Sequence, residues 1–158
     1  MYISVARDIS NDGYYLPHHA VIKESSNTTK VRIVFDASAK TSTGVSLNDI
    51  LMVGPLIQDK LFSHLIEFHK HKYVITADIE KMYLQVLLHK DVRRYQRILW
   101  LRNGEIETFQ FNTLTFVSCS LFLAIRTLQN LADDECRAYP RAAEILKGHL
   151  YVDDILTG

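Results

Sequence analysis

The segment His149-Leu150-Tyr151-Val152-Asp153-Asp154-Ile155-Leu156-Thr157 sets two adjacent carboxylates between two apolar, β-prone arms. Ionised carboxylates between packed strands lose hydration and need a counter-charge to remain there. A metal ion is the simplest one, and the segment reads as a hairpin whose turn is acidic. The chain carries its own control in a second Asp-Asp pair, Asp133-Asp134, which sits among Asn130, Glu135, Cys136 and Arg137 at a polar helix end and reads as solvated. Asp78 passes the same test as the hairpin pair, because it closes the apolar run Tyr73-Val74-Ile75-Thr76-Ala77, which reads as a buried strand. Asp78, Asp153 and Asp154 are therefore expected to converge at strand ends. Oxygen-only ligands of this kind suit magnesium, or manganese, rather than zinc.

The remaining pattern mixes strands and helices. Val31 to Phe35 is a short β-branched run, followed by the polar loop Ser38 to Ser46. Leu61, Leu65 and Phe68 recur at helical spacing after Pro55, which predicts a helix from Pro55 to Lys70. Gln96 to Leu101 and Glu105 to Phe111 flank Arg102-Asn103-Gly104, and Asn-Gly between β-prone runs signals a tight hairpin. Leu121, Ile125, Leu128 and Leu131 or Ala132 mark one face of a helix; Pro140 to Lys147 marks another, with Gly148 as its stop. The fold class implied is α/β in the α+β sense. With no repeat and no Pro/Gly-rich linker, the chain reads as one unit.

Of the 158 residues, 47% are hydrophobic and 23% charged, enough for a packed core. Apolar runs such as Thr113 to Leu123 fall short of the roughly 20 residues that cross a bilayer, so no membrane association is expected. Met1 to Asn11 does not read as a secretory signal, and Cys119 and Cys136 fit neither a disulfide scaffold nor a zinc spacing, which points to an intracellular protein. Lys plus Arg and Asp plus Glu balance at 18 each, but not locally. Residues 81 to 102 hold Lys81, Lys90, Arg93, Arg94, Arg97 and Arg102 against Asp91, six against one, and could lie along phosphates. Residues 131 to 158 are net acidic. On composition alone, solvated surface charge is the better reading of both stretches. His64, His69 and His71 lack a partner that would complete a metal set and read as surface residues, and His18 and His19 carry no assigned chemistry.

Tyr151-Val152-Asp153-Asp154 between two strands resembles the Tyr-x-Asp-Asp signature of reverse transcriptases. Asp78, within Ile75-Thr76-Ala77-Asp78-Ile79-Glu80-Lys81-Met82-Tyr83-Leu84-Gln85-Val86, is similar to the other metal-binding motif of that palm and lies 75 positions earlier. Lys30-Val31-Arg32-Ile33-Val34-Phe35-Asp36-Ala37-Ser38 and Ser46-Leu47-Asn48-Asp49-Ile50-Leu51 through Gly54-Pro55 resemble specifically the polymerase of BEL/Pao-type LTR retrotransposons. The likeness runs from about Tyr15 to the end, and several ordered motifs are more specific than one.

The resemblance implies a fingers-and-palm fold, with an antiparallel palm sheet backed by helices and fingers drawn from about Tyr14 to Gly54 and from the hairpin around Asn103. Residues 1–13 are then an N-terminal extension and 14–158 the domain, incomplete at its C-terminal side, with thumb, RNase H and integrase regions expected in a full-length polyprotein. Asp78, Asp153 and Asp154, with the Ile79 backbone, would bind two magnesium ions. Arg32 and Lys23 would reach the incoming triphosphate, Tyr83 would press on the sugar 2′ position, and Gln85, Arg97 and Tyr151 would contact nucleic acid. The partners implied are an RNA or DNA template-primer and deoxynucleotides, in the cytoplasm or a virus-like particle. The plainer readings stay open: Arg32 as an exposed strand residue and Tyr83 as core with a wet hydroxyl.

The chain departs from the family between the hairpin and the next helix. There the family has a Gly and then a Pro, whereas Thr115-Phe116-Val117-Ser118-Cys119-Ser120-Leu121-Phe122-Leu123-Ala124 has neither, with Leu121 standing for the proline. A side chain at Val117 would hinder close backbone approach to a ligand. Three functions follow: an RNA-directed DNA polymerase, a non-catalytic nucleic-acid-binding remnant of a decayed element, and a different two-metal enzyme such as a nuclease.

Overall fold

The computed structural model describes residues 2–6, 12–25, 30–115 and 119–158. In chain order the elements are β1 (Ile3–Val5), β2 (His18–Ile22), β3 (Val31–Phe35), α1 (Leu47–Ile50), α2 (Leu61–His69), β4 (Ile75–Asp78), α3 (Met82–Gln85), a 3-10 helix (Lys90–Tyr95), β5 (Arg97–Arg102), β6 (Glu105–Phe111), α4 (Ser120–Glu135), α5 (Pro140–Gly148), β7 (Leu150–Tyr151) and β8 (Asp154–Thr157). The fold is mixed α+β, built of small antiparallel sheets and helices. It divides into two compact units, Met1–Met52 with Leu87–Ser118 and Val53–Val86 with Cys119–Gly158. No sequence boundary announces the division, because each unit is discontinuous and the chain passes between them without a Pro- or Gly-rich linker. Among the described residues, no helix is long and apolar enough to cross a membrane.

The first unit holds a sheet of order β1-β6-β5 and the separate pair β2-β3. The β5–β6 hairpin turns through Asn103 and Gly104, with φ of 52° and 84°, the left-handed pair that a two-residue turn requires and that Asn-Gly supplies at low cost. Leu16, Leu47, Ile98, Phe111 and Leu114 are buried, and Phe35 meets Phe111 edge-on at 5.1 Å. Ser46 caps α1: Asp49 N donates to the Ser46 hydroxyl oxygen, and Ser46 N donates to the Asp49 carboxylate. Within residues 1–13, the described residues Ile3–Val5 form a strand of the β1-β6-β5 sheet. Ile3, Ser4 and Val5 pair with Phe111, Gln110 and Phe109 on the β6 edge.

The second unit holds the antiparallel sheet β4-β8-β7, contacted by α2 and α5, with α4 packed on α5. The helix expected from Pro55 begins at Leu61 instead. Gly54 adopts φ 81° and Lys60 is extended, and the intervening segment stays open because the Gln58 side chain is committed to bonds with β7 and its turn. The strand expected from Tyr73 starts at Ile75 and is exposed rather than buried, as befits an edge strand paired on one side only. On α4 the buried residues are Ser120, Ala124, Ile125 and Ala132, while Leu121 and Leu131 are exposed. Gly148 does not stop α5 but belongs to it, and the helix ends at His149 without a left-handed cap.

Candidate metal and nucleotide site

Tyr151 and Asp154 pair across the hairpin, so its turn consists of Val152 and Asp153. Asp153 thus lies in the turn, and Asp154 is the first residue of β8. Val152 has φ 59°, a region that a β-branched residue rarely occupies and that costs about 1–2 kcal/mol. Two hydrogen bonds hold the turn from outside: Val152 N donates to Gln58 Oε1 at 3.1 Å, and Gln58 Nε2 donates to the Leu150 carbonyl at 3.1 Å.

On the other side, β8 pairs with β4 in a register that sets Ile155 against Ala77 and Asp154 against Asp78. Direct cross-strand partners project from the same face with Cβ atoms roughly 5 Å apart. The bonding continues one step past the strand, where Ile79 N donates to the Asp153 carbonyl at 2.9 Å. Asp78 and Asp154 are exposed and Asp153 is half-buried. The backbone therefore brings all three carboxylates to one end of one sheet, although among the described residues no three His, Cys, Asp or Glu side chains form a ready-made metal cage. The donor chemistry fits a hard cation: carboxylates plus the Ile79 carbonyl, which accepts a bond from Met82 N at 3.1 Å and keeps a second lone pair.

The short helix α3 follows at once and buries Met82 and Tyr83. Burial, and then the Asp153 charge, push the Tyr83 phenol above the usual tyrosine range, so its hydroxyl stays protonated within reach of the Asp153 field. Gln85 is exposed, with Nε2 donating to the Glu80 carbonyl at 3.3 Å. Tyr151 is half-buried against the His64 ring at 5.7 Å. His64, expected on the surface, is buried. It shares a helical face with Leu61, Leu65 and Phe68, but Leu61 and Leu65 are exposed, so helical spacing did not foretell its burial. Gln58 was missed, since nothing in the sequence around a lone loop glutamine marks it.

The other expected residues belong to the first unit. Arg32 is exposed on β3 opposite Val21, and Lys23 is exposed just after β2, its N–H donating to the Lys30 carbonyl at 2.8 Å. Arg97 is only 2% exposed, which removes it from the surface a nucleic-acid contact needs, because its backbone bonds both ways with Tyr14 and Leu16 and carries the side chain inward. The basic segment 81–102 is likewise no continuous track. Arg93 bonds the Leu88 carbonyl and Asn112 Oδ1, each at 3.0 Å, Arg94 pairs with Asp12 at 2.7 Å, and Lys81 pairs with Glu80 at 2.9 Å. The Val117 substitution lies outside the described residues. Asp133 is exposed and ion-paired with Lys147, as a solvated pair should be. Compared with known protein families and with curated proteins, the sequence matches none.

Proposed function

We propose that this chain is the fingers-and-palm part of an RNA-directed DNA polymerase whose metal centre is the acidic end of the β4-β8-β7 sheet. One observation carries the reading: the Asp78–Asp154 register, locked by the Ile79–Asp153 bond, joins two motifs 75 positions apart at a single strand end. The composition of the units supports the fold-level part of the proposal. The first unit contains the hairpin and all but the last two residues of the Tyr14–Gly54 segment that the resemblance assigns to fingers, and the second contains an antiparallel sheet contacted by helices, as a palm would.

On this reading Asp78, Asp153 and Asp154, with the Ile79 carbonyl, hold two magnesium ions, or manganese in their place. Bound there, the ions acidify a primer 3′-hydroxyl and neutralise the leaving pyrophosphate. The chain's own residues orient those carboxylates and shape the sugar site. Tyr83 presents a protonated hydroxyl beside Asp153, where a neutral group can pack against a deoxyribose without adding charge. The partners are a template-primer, deoxynucleotides and the remainder of a polyprotein, in the cytoplasm or a virus-like particle.

A binding remnant is the second reading, favoured by Leu121 in the family's proline position and by the internal engagement of Arg93, Arg94 and Arg97. A labelled primer on an RNA template, incubated with magnesium and deoxynucleotides, separates the readings. Longer products support the polymerase, shorter ones a two-metal nuclease, and a mobility shift without new products the remnant.

A further inference from the structure

β7 is the outer strand of its sheet, so Leu150 and Val152 present backbone groups on an edge that no further strand covers among the described residues. The Gln58 side chain takes that place. Its amide is a peptide-sized donor and acceptor, and it bonds the Leu150 carbonyl and the Val152 N–H at 3.1 Å each, as a neighbouring strand's peptide would. These two bonds flank Tyr151 and fix the peptide that leads into Val152, the residue with φ of 59°. A two-residue turn with positive φ at its first position prefers glycine there, and this chain has valine. Without an outside clasp, Val152 gains by relaxing toward the β or right-handed region, and that relaxation rotates the 152–153 peptide and redirects Asp153.

We infer that Gln58 is a positioning residue for the acidic turn, holding Val152 in the left-handed conformation that aims Asp153 beside Asp78 and Asp154. The inference rests on the metal-centre reading above. Gln58 touches none of the three carboxylates and acts through the turn's backbone. The aromatic contact of His64 with Tyr151 steadies the same arm from α2, but it carries no hydrogen bond to the turn.

The test uses the full chain and two readouts, Mn2+ affinity and hydrogen exchange at the Val152 amide. Gln58→Met keeps the length of the side chain and removes both bonds. The expected result is faster Val152 exchange and roughly 10- to 100-fold weaker Mn2+ binding, the range seen when groups that orient metal ligands are removed, with the helix signal in circular dichroism unchanged. Faster exchange with unchanged Mn2+ affinity makes Gln58 a structural clasp only and overturns the inference while the metal centre stands. Failure of the wild-type chain to bind Mn2+ removes both. Should Gln58→Met not fold, Gln58→Glu retains the acceptor for Val152 N and loses the donor to Leu150; it is expected to keep the Val152 protection, and loss of that protection contradicts the clasp.

Discussion

Asp78 stands opposite Asp154 across β4 and β8, two like charges in direct register at the same end of a sheet. Like charges so placed oppose folding, by an amount cut down here by their exposure to water. Asp78→Asn is therefore expected to raise the stability of the chain in EDTA by roughly a few tenths of a kcal/mol. If the proposed metal centre binds Mg2+, the ion is expected to raise the wild-type Tm and the same change to abolish that rise, since a ligand stabilises only the state that binds it. Thermal unfolding of both proteins with and without Mg2+ checks the pair of outcomes, and a variant less stable than wild type in EDTA would show that Asp78 is held by favourable contacts instead.

Tyr83 gives a pH dependence whose sign follows from its surroundings. Its folded-state pKa lies above the ordinary value of about 10, through burial first and the Asp153 charge second. The unfolded chain therefore loses this proton before the folded one does, so the contribution is fully present below about pH 10 and is lost as pH rises through the folded value. Asp153→Asn should move the phenol titration downward by removing the smaller of the two causes. Ultraviolet titration of tyrosinate, with Tyr83→Phe to identify the signal, reads the shift.

Gly54 and Phe122 form a contact that tolerates no side chain. A Cβ at Gly54 would stand 2.5 Å from Phe122 Cγ, and the residue already holds φ 81°. Gly54→Ala is expected to destabilise the chain by at least the ~1 kcal/mol of a left-handed alanine, with overlap adding to that. Gly54→Ala combined with Phe122→Ala should recover the steric part but not the backbone part, which a double-mutant cycle in urea would measure.

The two Asp-Asp pairs should behave differently. Lys147 lowers the Asp133 pKa by hydrogen bond and charge, and Asp133 raises that of Lys147. Asp133 thus stabilises above the usual carboxylate range and loses this as pH falls, while Lys147 stabilises below the usual lysine range and loses it as pH rises, so the pair is formed throughout neutral pH. Both groups are exposed, and Lys147→Ala should change Tm only marginally and leave Mn2+ affinity untouched. A loss of Mn2+ binding in this variant would place a metal at the wrong pair.

What the sequence revealed follows the range of each signal. The Asn103-Gly104 turn, the α4 and α5 helices and the acidic hairpin were legible because turn chemistry and helical period act over a few residues. The start of α2 was not, because Gln58 is bound to a strand 92 positions away and keeps Pro55 out of a helix. The exposure of β4 escaped for the same reason: an apolar run announces a strand but not whether it will lie at an edge. In the site, the carboxylates were legible from their apolar neighbours. Arg97 was misread, since a charge count cannot see that Tyr14 and Leu16 draw that strand inward.

The most direct test of the polymerase centre is deoxynucleotide incorporation on an RNA template with Mg2+, by the wild-type chain beside its Asp153→Asn, Asp154→Asn double variant. The account predicts Mg2+-dependent primer extension by the wild type and its loss in a variant that remains folded by circular dichroism. Equal extension by both proteins, or none by a folded wild type that still binds the template-primer, would contradict it.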